Sequence, residues 1–202
     1  FRSTQELETL FAKAGARFVG SHPMAGSEKT GVAAARANLF ENALCIVTPT
    51  AASNAKAVVQ VTEFWSGIGA RTMRLSPEVH DELVSRSSHL PHVVAAELAN
   101  YVLSPIQPKE QAQICATGFR DTTRIASGSP EMWRDIALAN RPALLAELDA
   151  YLVQVTEMRD LLDNNDGAAL EALFGRAQSA RQAWIAAIEA AEQQRPYEQG
   201  GD

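Results

Sequence analysis

Strand-forming patterns occur only in the first 76 residues of this chain, and every later pattern is helical. Compact apolar or β-branched runs at 17–20 and 44–48 predict buried strands, and the segment at 71–75 is also strand-like. Between 44–48 and 71–75, apolar residues recur at spacings of three and four over about 54–65, which predicts a helix. Strand, helix and strand in this order form a βαβ-like unit, so the chain must begin with a small sheet covered by helix.

The rest of the chain carries repeated helix-start signals. Residues 76–78 and 129–131 both read Ser-Pro-Glu, which supplies a hydroxyl N-cap, a proline at the first helical position and an acid in the first turn. Pro91 is predicted to interrupt the first of these helices. Pro142 is predicted to begin a long amphipathic helix, and a turn at 163–167 separates it from the last helix.

The change of pattern places a domain boundary near residue 76. We predict an α/β part over 1–76 and an all-helical part over 77–202, with a chain that is mainly α overall. The leucine-bearing faces of the last two helices offer more apolar surface than one small domain covers, so we expect a homodimer. Position 1 is Phe and not Met, so we expect the sequence to be an excerpt of a longer chain.

Composition limits the classes of partner and compartment. The chain has 18 basic and 24 acidic residues, and its basic residues form no stripe that could follow a phosphate backbone. Cys45 and Cys115 lack the close spacing of a zinc site or a disulfide framework, and no apolar run is long enough to span a bilayer. We expect a cytoplasmic protein that binds neither nucleic acid nor membrane.

His22 follows the first predicted strand within a Gly/Ser/Pro turn. A side chain there can project into the crevice in which α/β proteins bind ligands, and imidazole titrates near neutrality, which suits acid or base chemistry. The alternative is a turn histidine that bonds only to nearby backbone.

A second histidine group surrounds Pro91 and contains Ser88, His89 and His92. His89 and His92 share a helix face if the turn continues through them, and a bend at Pro91 would turn them toward a cleft. Two alternatives stay open, namely histidines bonded within a helical core, or a metal site that His80 or Asp81 would complete.

A third group supplies fixed positive charge. Arg120 and Arg124 are four residues apart, so they are neighbours if the segment is helical, and Asp121 could neutralise one while the other binds a carboxylate. A solvated surface pair is the alternative. Trp133, beside an Arg-Asp pair, is predicted to pack in the core and not to contact a ligand.

Read in order, these motifs resemble the prephenate/arogenate dehydrogenase family of tyrosine biosynthesis. The resemblance covers residues 18–140, and the segment after Pro142 is similar to the family only in being helical. The motifs are FVGSHPMAGSE at 18–28, His80-Asp81 with SHLPH at 88–92, GFRDTTRIA at 118–126, and MWRDI at 132–136 with Asn140.

The resemblance implies both a fold and a reaction. The fold would be an α/β remnant of a Rossmann-type nucleotide-binding domain followed by an all-helical substrate-binding and dimerisation domain. The reaction would be an oxidative decarboxylation in which hydride passes to NAD or NADP while loss of carbon dioxide aromatises the ring. It leaves open whether prephenate or arogenate is the substrate, which nucleotide is used, and whether tyrosine inhibits.

The resemblance also implies roles for individual residues. His22 would accept the proton of the ring hydroxyl as the carbonyl forms, and Arg124 would bind a substrate carboxylate. The remaining positions would line, support or gate the pocket: Ser88, His92 and His80 around the substrate, Glu28, Arg120 and Asp121 at an ionic gate, and His89 and Trp133 behind them.

The family's glycine-rich dinucleotide motif does not occur in this sequence. Gly67 and Gly69 follow a predicted helix, whereas a pyrophosphate-binding turn follows a strand. We therefore expect this chain alone to be inactive. An alternative of another class is a noncatalytic helical dimer module that binds an aromatic acid such as tyrosine or prephenate.

Overall fold

The computed structural model describes residues 4–26, 31–32 and 35–193, with side chains through residue 190. It contains two compact units, Phe1–Leu148 and Asp149–Asp202. The first unit includes both the sheet and the helices that follow it, and the predicted domain boundary near residue 76 stays a prediction. No helix in the described ranges is both long enough and apolar enough to cross a membrane.

The sheet has three strands in the order β1-β2-β3 and follows helix α1. The central strand β2 pairs parallel with β3 and antiparallel with β1. Helix α2 connects β2 to β3, which confirms the predicted strand-helix-strand unit. The bounds are α1 Thr4–Lys13, β1 Gly20–Pro23, β2 Leu44–Thr48, α2 Ala55–Gly67 and β3 Arg71–Arg74.

The core of the sheet lies on β2. Cys45 and Val47 are fully buried, and Ile46 on the other face is 6% exposed. A strand that is buried on both faces reads as a continuous apolar run, which is why 44–48 could be recognised from sequence. Ala57 and Val58 of α2 are also buried.

The first strand was predicted at 17–20, and this prediction is wrong. β1 runs over Gly20–Pro23, with Gly20 opposite Thr48 and His22 opposite Ile46. A side chain at position 20 would collide with the Thr48 hydroxyl, so glycine permits the close pairing where a turn was expected. Pro23 is tolerated because β1 is an edge strand. His22 therefore lies on a strand and not in a turn.

The helical region begins as predicted. Ser76 caps α3 by accepting from the backbone N–H of Val79 at 3.3 Å, and Ser129 caps α6 by accepting from Met132 at 3.3 Å. The bounds are α3 Pro77–Val84, α4 Leu90–Val102, α5 Thr117–Thr123, α6 Pro130–Ala139, α7 Arg141–Asp163 and α8 Gly167–Gln193, with 3-10 turns at Gln111–Ile114 and Arg124–Ser127.

The predicted interruption at Pro91 takes the form of a wider helical turn. Residues Ser85–His89 form a π-helical turn between α3 and α4, in which the N–H of Leu90 bonds to the carbonyl of Ser85. Pro91 is the second residue of α4, and because it has no N–H, the hydrogen bond that a residue there would donate to the preceding turn is absent. The chain stays helical from Pro77 to Val102 with a local change of register, and such π turns recur at functional sites.

A two-point ion pair fixes this π turn to helix α7. Arg86 donates through Nε and an Nη atom to the two carboxylate oxygens of Glu147, both at 2.9 Å. These hydrogen bonds lower the pKa of the Glu147 carboxyl below its ordinary value of 4.5. Since Glu147 lies among the buried residues of α7, the pair joins two elements that are distant in sequence.

We expect Glu147→Gln to lower the thermal unfolding temperature at neutral pH. The folded pKa of Glu147 is depressed, so its stabilisation is complete above about pH 4.5 and is lost as the pH falls through the folded value. The difference between variant and wild type should therefore shrink in acid. Asp160→Asn is the matched control, because the Arg159–Asp160 pair is exposed and such pairs contribute little. If Glu147→Gln lowered the unfolding temperature equally at neutral and at acid pH, the prediction would be contradicted.

Candidate active site

Three side chains form a hydrogen-bonded row that starts on β1. Nδ1 of His22 lies 2.9 Å from Nε2 of His80, and Nδ1 of His80 lies 2.8 Å from the Oδ1 atom of Asp81. The two imidazole rings meet nearly edge to face, at an interplanar angle of 69°. Residues 58 positions apart in sequence are thus brought together by the approach of β1 to helix α3.

The partners in this row define which nitrogen carries each proton. The Asp81 carboxylate can only accept, so Nδ1 of His80 is the protonated nitrogen and Nε2 of the neutral ring is an acceptor. Nδ1 of His22 must then donate to it. The remaining nitrogen of His22, Nε2, carries a lone pair, which is the arrangement that a general base requires.

The surroundings of His22 favour its neutral form. Neighbouring groups remove part of the water around the ring, and this desolvation lowers the pKa of His22 below its ordinary value of 6.5. The adjacent His80 lowers it further, and Asp81 acts in the opposite direction. His22 is therefore ready to accept a proton at neutral pH.

Asn140 connects this row to the second histidine motif. Its side-chain nitrogen donates to the backbone carbonyl of Asp81 at 2.7 Å and lies 3.3 Å from Nδ1 of His89. Burial lowers the pKa of His89, followed by the electrostatic effect of His22. The π turn, the end of α6 and strand β1 thus contribute to one cluster.

His92 and Trp133 form the next part of the cluster. Their rings stack with centroids 3.6 Å apart, and Nδ1 of His92 bonds to the carbonyl of Ser88 at 2.9 Å. Because a carbonyl only accepts, Nδ1 of His92 carries the proton and Nε2 is an acceptor. Any side chain at Gly128 would collide with the indole of Trp133, at 2.6 Å from Nε1. Trp133 thus packs as predicted, but against a histidine.

A cavity of about 310 Å³ lies beside this stack. Its wall is mainly apolar, and His92 and Trp133 are the predicted site residues in its lining. A groove of about 990 Å³ between α1 and the loop after β2 contains none of the predicted site residues. The smaller cavity is therefore the one connected with the histidine cluster.

The arginine motif lies on α5 and on the 3-10 turn that follows it. Arg120 and Asp121 lie on α5 and pair with each other at 3.5 Å, with both side chains mostly exposed. Arg124 begins the 3-10 turn that follows, and this turn packs against α4, the helix that carries His92. Arg120 and Arg124 are therefore not on one regular helix as the spacing suggested. Glu28 lies outside the described residues.

The described residues do not fit the pyrophosphate of a dinucleotide. In a parallel strand-helix unit that group binds at the loop before the helix. Here the loop at 49–54 contains no glycine, and the hydroxyls of Thr50 and Ser53 are bonded to the Glu8 carboxylate, which would repel phosphate. Gly69, with φ of +87°, follows the C-terminal end of α2, where the helix dipole is negative.

Two contributors to the cluster had no predicted role, and a third, Asp81, had one only in the metal-site alternative. Asp81 and Asn140 were part of the sequence motifs, and Gly128 was not singled out. Two features of the sequence could have indicated Asn140 and Gly128. Asn140 stands just ahead of the helix predicted to begin at Pro142, and Gly128 is a small residue directly before Ser129-Pro130. Within the ranges that the structure describes, no three His, Cys, Asp or Glu side chains are arranged to hold a metal ion.

Two family models match the chain. The model described as prephenate dehydrogenase, nucleotide-binding domain, matches residues 3–74, and the model described as prephenate dehydrogenase, dimerization domain, matches residues 76–176. Together they cover the sheet, the histidine cluster and most of the helical region.

Individual dehydrogenases are also similar in sequence to this chain. A prephenate dehydrogenase of Bacillus subtilis (strain 168) is 42% identical over 170 residues, which are 82% of this chain and 45% of that protein. A cyclohexadienyl dehydrogenase of Zymomonas mobilis is 39% identical over 166 residues, 81% of this chain and 56% of that protein. The chain therefore spans about half the length of these relatives.

Solved structures are similar as well. The crystal structure of prephenate dehydrogenase from A. aeolicus in complex with hydroxyphenyl propionate and NAD+ superimposes with a TM-score of 0.83 at 32% identity, covering 89% of this chain and 62% of that one. Synechocystis arogenate dehydrogenase gives a TM-score of 0.75 at 28% identity, with 86% and 63% covered.

Proposed function

Because the chain belongs to the prephenate dehydrogenase family, we propose that its full-length protein oxidatively decarboxylates prephenate or arogenate, with NAD or NADP as the hydride acceptor. The observation that carries this proposal is the row of Asp81, His80 and His22, which leaves a lone pair on Nε2 of a neutral imidazole. A base of this kind is what an alcohol needs when it becomes a carbonyl.

His22 acts on the ring hydroxyl in this proposal. Its Nε2 accepts the hydroxyl proton while hydride leaves the same carbon, and the proton returns to the ring oxygen when carbon dioxide departs and the ring becomes a phenol. His80 holds the orientation of His22, and the Asp81 carboxylate offsets the positive charge that develops on the two rings. His22 is neutral before and after the reaction.

Three further residues are proposed to bind the substrate. Arg124 would bind a carboxylate, since a guanidinium both orients and offsets an anion. Ser88 and His92 lie at the π turn and on the wall of the 310 Å³ cavity, respectively, where the carbon skeleton of the substrate would fit. Glu28, Arg120 and Asp121 would form the ionic gate at the pocket entrance.

The pyrophosphate of the nucleotide would be held by residues other than those of the loop at 49–54. The chemistry that the nucleotide supplies is the acceptance of hydride, and the A. aeolicus relative was crystallised with NAD+. The choice between NAD and NADP depends on a residue near the ribose. Both cysteines are free thiols, which agrees with a cytoplasmic location for such a reaction.

We also propose a homodimer. The matched dimerization-domain model covers α7 and the start of α8. In the unit from residue 149 onward, large apolar side chains are exposed at intervals along both helices, and an exposed face of this kind marks a protein interface. They include Leu152, Val155, Leu162, Phe174, Trp184 and Ile188. Tyrosine is a candidate inhibitor because it is itself the product from arogenate and shares the phenol and the carboxylate with the product from prephenate.

The test is an assay of the full-length protein with prephenate and with arogenate, each with NAD and NADP. We expect nucleotide reduction with release of carbon dioxide for one substrate at least. The acid limb of log kcat/KM against pH should lie below the ordinary histidine pKa of 6.5, because desolvation and His80 lower the pKa of His22 in the free protein. An acid limb above 6.5 would contradict the assignment of His22.

The same experiment distinguishes a dehydrogenase from the alternative, a noncatalytic binding module. A module would bind prephenate or tyrosine in calorimetry without reducing nucleotide under any of the four combinations. That result would reject the dehydrogenase proposal and leave acid binding as the function.

A further inference from the structure

Nδ1 of His89 faces a hydrogen-bond donor, whereas Nδ1 of His22 faces an acceptor. Asn140 is the hydrogen-bond partner of the His89 ring within the described part of the chain, and it faces Nδ1. His89 is half-buried, and its ring lies edge-on to Trp133, with centroids 6.3 Å apart. This position places His89 between the His22 row and the His92–Trp133 stack.

The amide of Asn140 can point in one direction only. Its 2.7 Å contact is with the backbone carbonyl of Asp81, which accepts and cannot donate, so the amide nitrogen must be the atom on that side. The second hydrogen of the same nitrogen faces Nδ1 of His89 at 3.3 Å. Nδ1 of His89 is therefore an acceptor, and the proton of the neutral ring lies on Nε2.

We propose that Asn140 fixes His89 as the Nε2–H tautomer, and that this N–H donates a hydrogen bond to a carboxylate or carbonyl oxygen of the bound substrate. Asn140 is then a positioning residue and His89 a binding residue. The inference rests on the proposed function for the identity of the ligand, but the tautomer itself does not.

The placement of protons in the cluster supports this division of roles. Nε2 of His22 and Nε2 of His92 are acceptors, so neither can bind an oxygen that only accepts. Nε2 of His89 is the neutral N–H donor that these three rings offer. Burial lowers the pKa of His89, so the ring keeps one proton and does not become a cation at neutral pH. A substrate that offers a hydroxyl to His22 and an oxygen acceptor to His89 would meet two complementary groups.

The tautomer can be read directly by NMR of the chain labelled with 15N-histidine. The pattern of two-bond couplings to the ring nitrogens distinguishes an Nε2–H ring from an Nδ1–H ring. We expect His89 to be Nε2–H in the wild type and a mixture of tautomers in Asn140→Ala. Asn164→Ala is the matched control, because its amide also donates to a backbone carbonyl at a helix end, that of Asp160 at 2.8 Å, but Asn164 belongs to none of the histidine motifs. A wild-type Nδ1–H ring, or an unchanged ring in Asn140→Ala, would overturn the assignment.

The role in binding is tested with two variants of His89. The side-chain nitrogen of Gln can take the place of Nε2 and donate, whereas Phe fills the space without a donor. We expect KM for the substrate to rise about tenfold or more in His89→Phe, as for loss of a hydrogen bond to a charged group, and to recover most of this in His89→Gln, with kcat changed less in both. Equal KM values for the two variants would reject the donor role.

Two probes identify the oxygen that His89 binds. 3-(4-Hydroxyphenyl)propionate carries a carboxylate alone, and 4-hydroxyphenylpyruvate carries a carbonyl as well. If His89→Phe weakens both equally, the acceptor is the carboxylate; if it weakens only the pyruvate, the acceptor is the carbonyl. If neither probe is weakened but KM for the substrate still rises, the acceptor is the ring carboxylate, which both probes lack; if neither the probes nor KM respond, the proposal is overturned. Failure of the dehydrogenase assay would be a separate result, since the NMR measurement needs no turnover.

Discussion

Replacing His22 by Asn is expected to lower kcat by about 10²- to 10⁴-fold, the usual contribution of a general base. The side-chain nitrogen of Asn can still donate to Nε2 of His80, as Nδ1 of His22 does, so the hydrogen-bonded row and the fold should persist. What is lost is the lone pair on Nε2. Stopped-flow and steady-state assays of nucleotide reduction would measure the effect, with KM for the substrate little changed.

Ser21→Ala serves as the control for this experiment. Ser21 is the neighbour of His22 on β1, but successive strand residues point to opposite faces, and its hydroxyl accepts from the indole of Trp65 at 3.0 Å. We expect its activity to stay within a few-fold of the wild type. Normal turnover by His22→Asn would remove His22 from the mechanism, even if the protein proved to be a dehydrogenase.

The second large effect is expected from His80, and it depends on which residue replaces it. Phe at position 80 removes the acceptor that holds Nδ1 of His22, so the base loses its orientation, and misplacement of a reacting group costs about a hundredfold in kcat. Gln at position 80 can present its side-chain oxygen to the same N–H. We therefore expect His80→Gln to retain most of the activity that His80→Phe loses.

A change in the pH profile would distinguish this role from a merely structural one. The nearby His80 lowers the pKa of His22, so its removal in His80→Gln should raise that pKa toward 6.5 and move the acid limb of kcat/KM to higher pH. The assay would be run from pH 5 to neutrality on both proteins, roughly the range in which histidine titrates. An acid limb that does not move, or that moves to lower pH, would show that His80 does not interact with the base as proposed.

Helices and strands could be predicted from the sequence wherever a single local signal specifies them. The continuous apolar run of β2 and the Ser-Pro-Glu starts of α3 and α6 act within a few residues, and all three elements lie where they were predicted. The prediction of a strand at 17–20 was wrong because the position of β1 depends on the pairing of Gly20 with Thr48, a residue distant in sequence. Gly20 has room to pair with Thr48 only in the folded sheet, and no local pattern contains that information.

The residue types of the cluster, but not their arrangement, could be known in advance. All four histidines belong to two motifs, so their chemistry was evident from the sequence. Which nitrogen of each ring donates depends on partners up to 58 positions away, such as His80 for His22, or on the amide of Asn140 for His89. Arg120 and Arg124 were likewise expected on one helix, but α5 ends at Thr123 and Arg124 begins a 3-10 turn.

The sequence by itself thus determined most of the elements, the chemical character of the site and the family, because these depend on short-range propensity and on the order of motifs. Tertiary structure alone decided the donor and acceptor identity of each imidazole, since a ring nitrogen takes its role from the group that it faces. The proposed base at His22 and the proposed donor at His89 are the same kind of side chain, and they differ because Asp81, through His80, faces one and Asn140 faces the other.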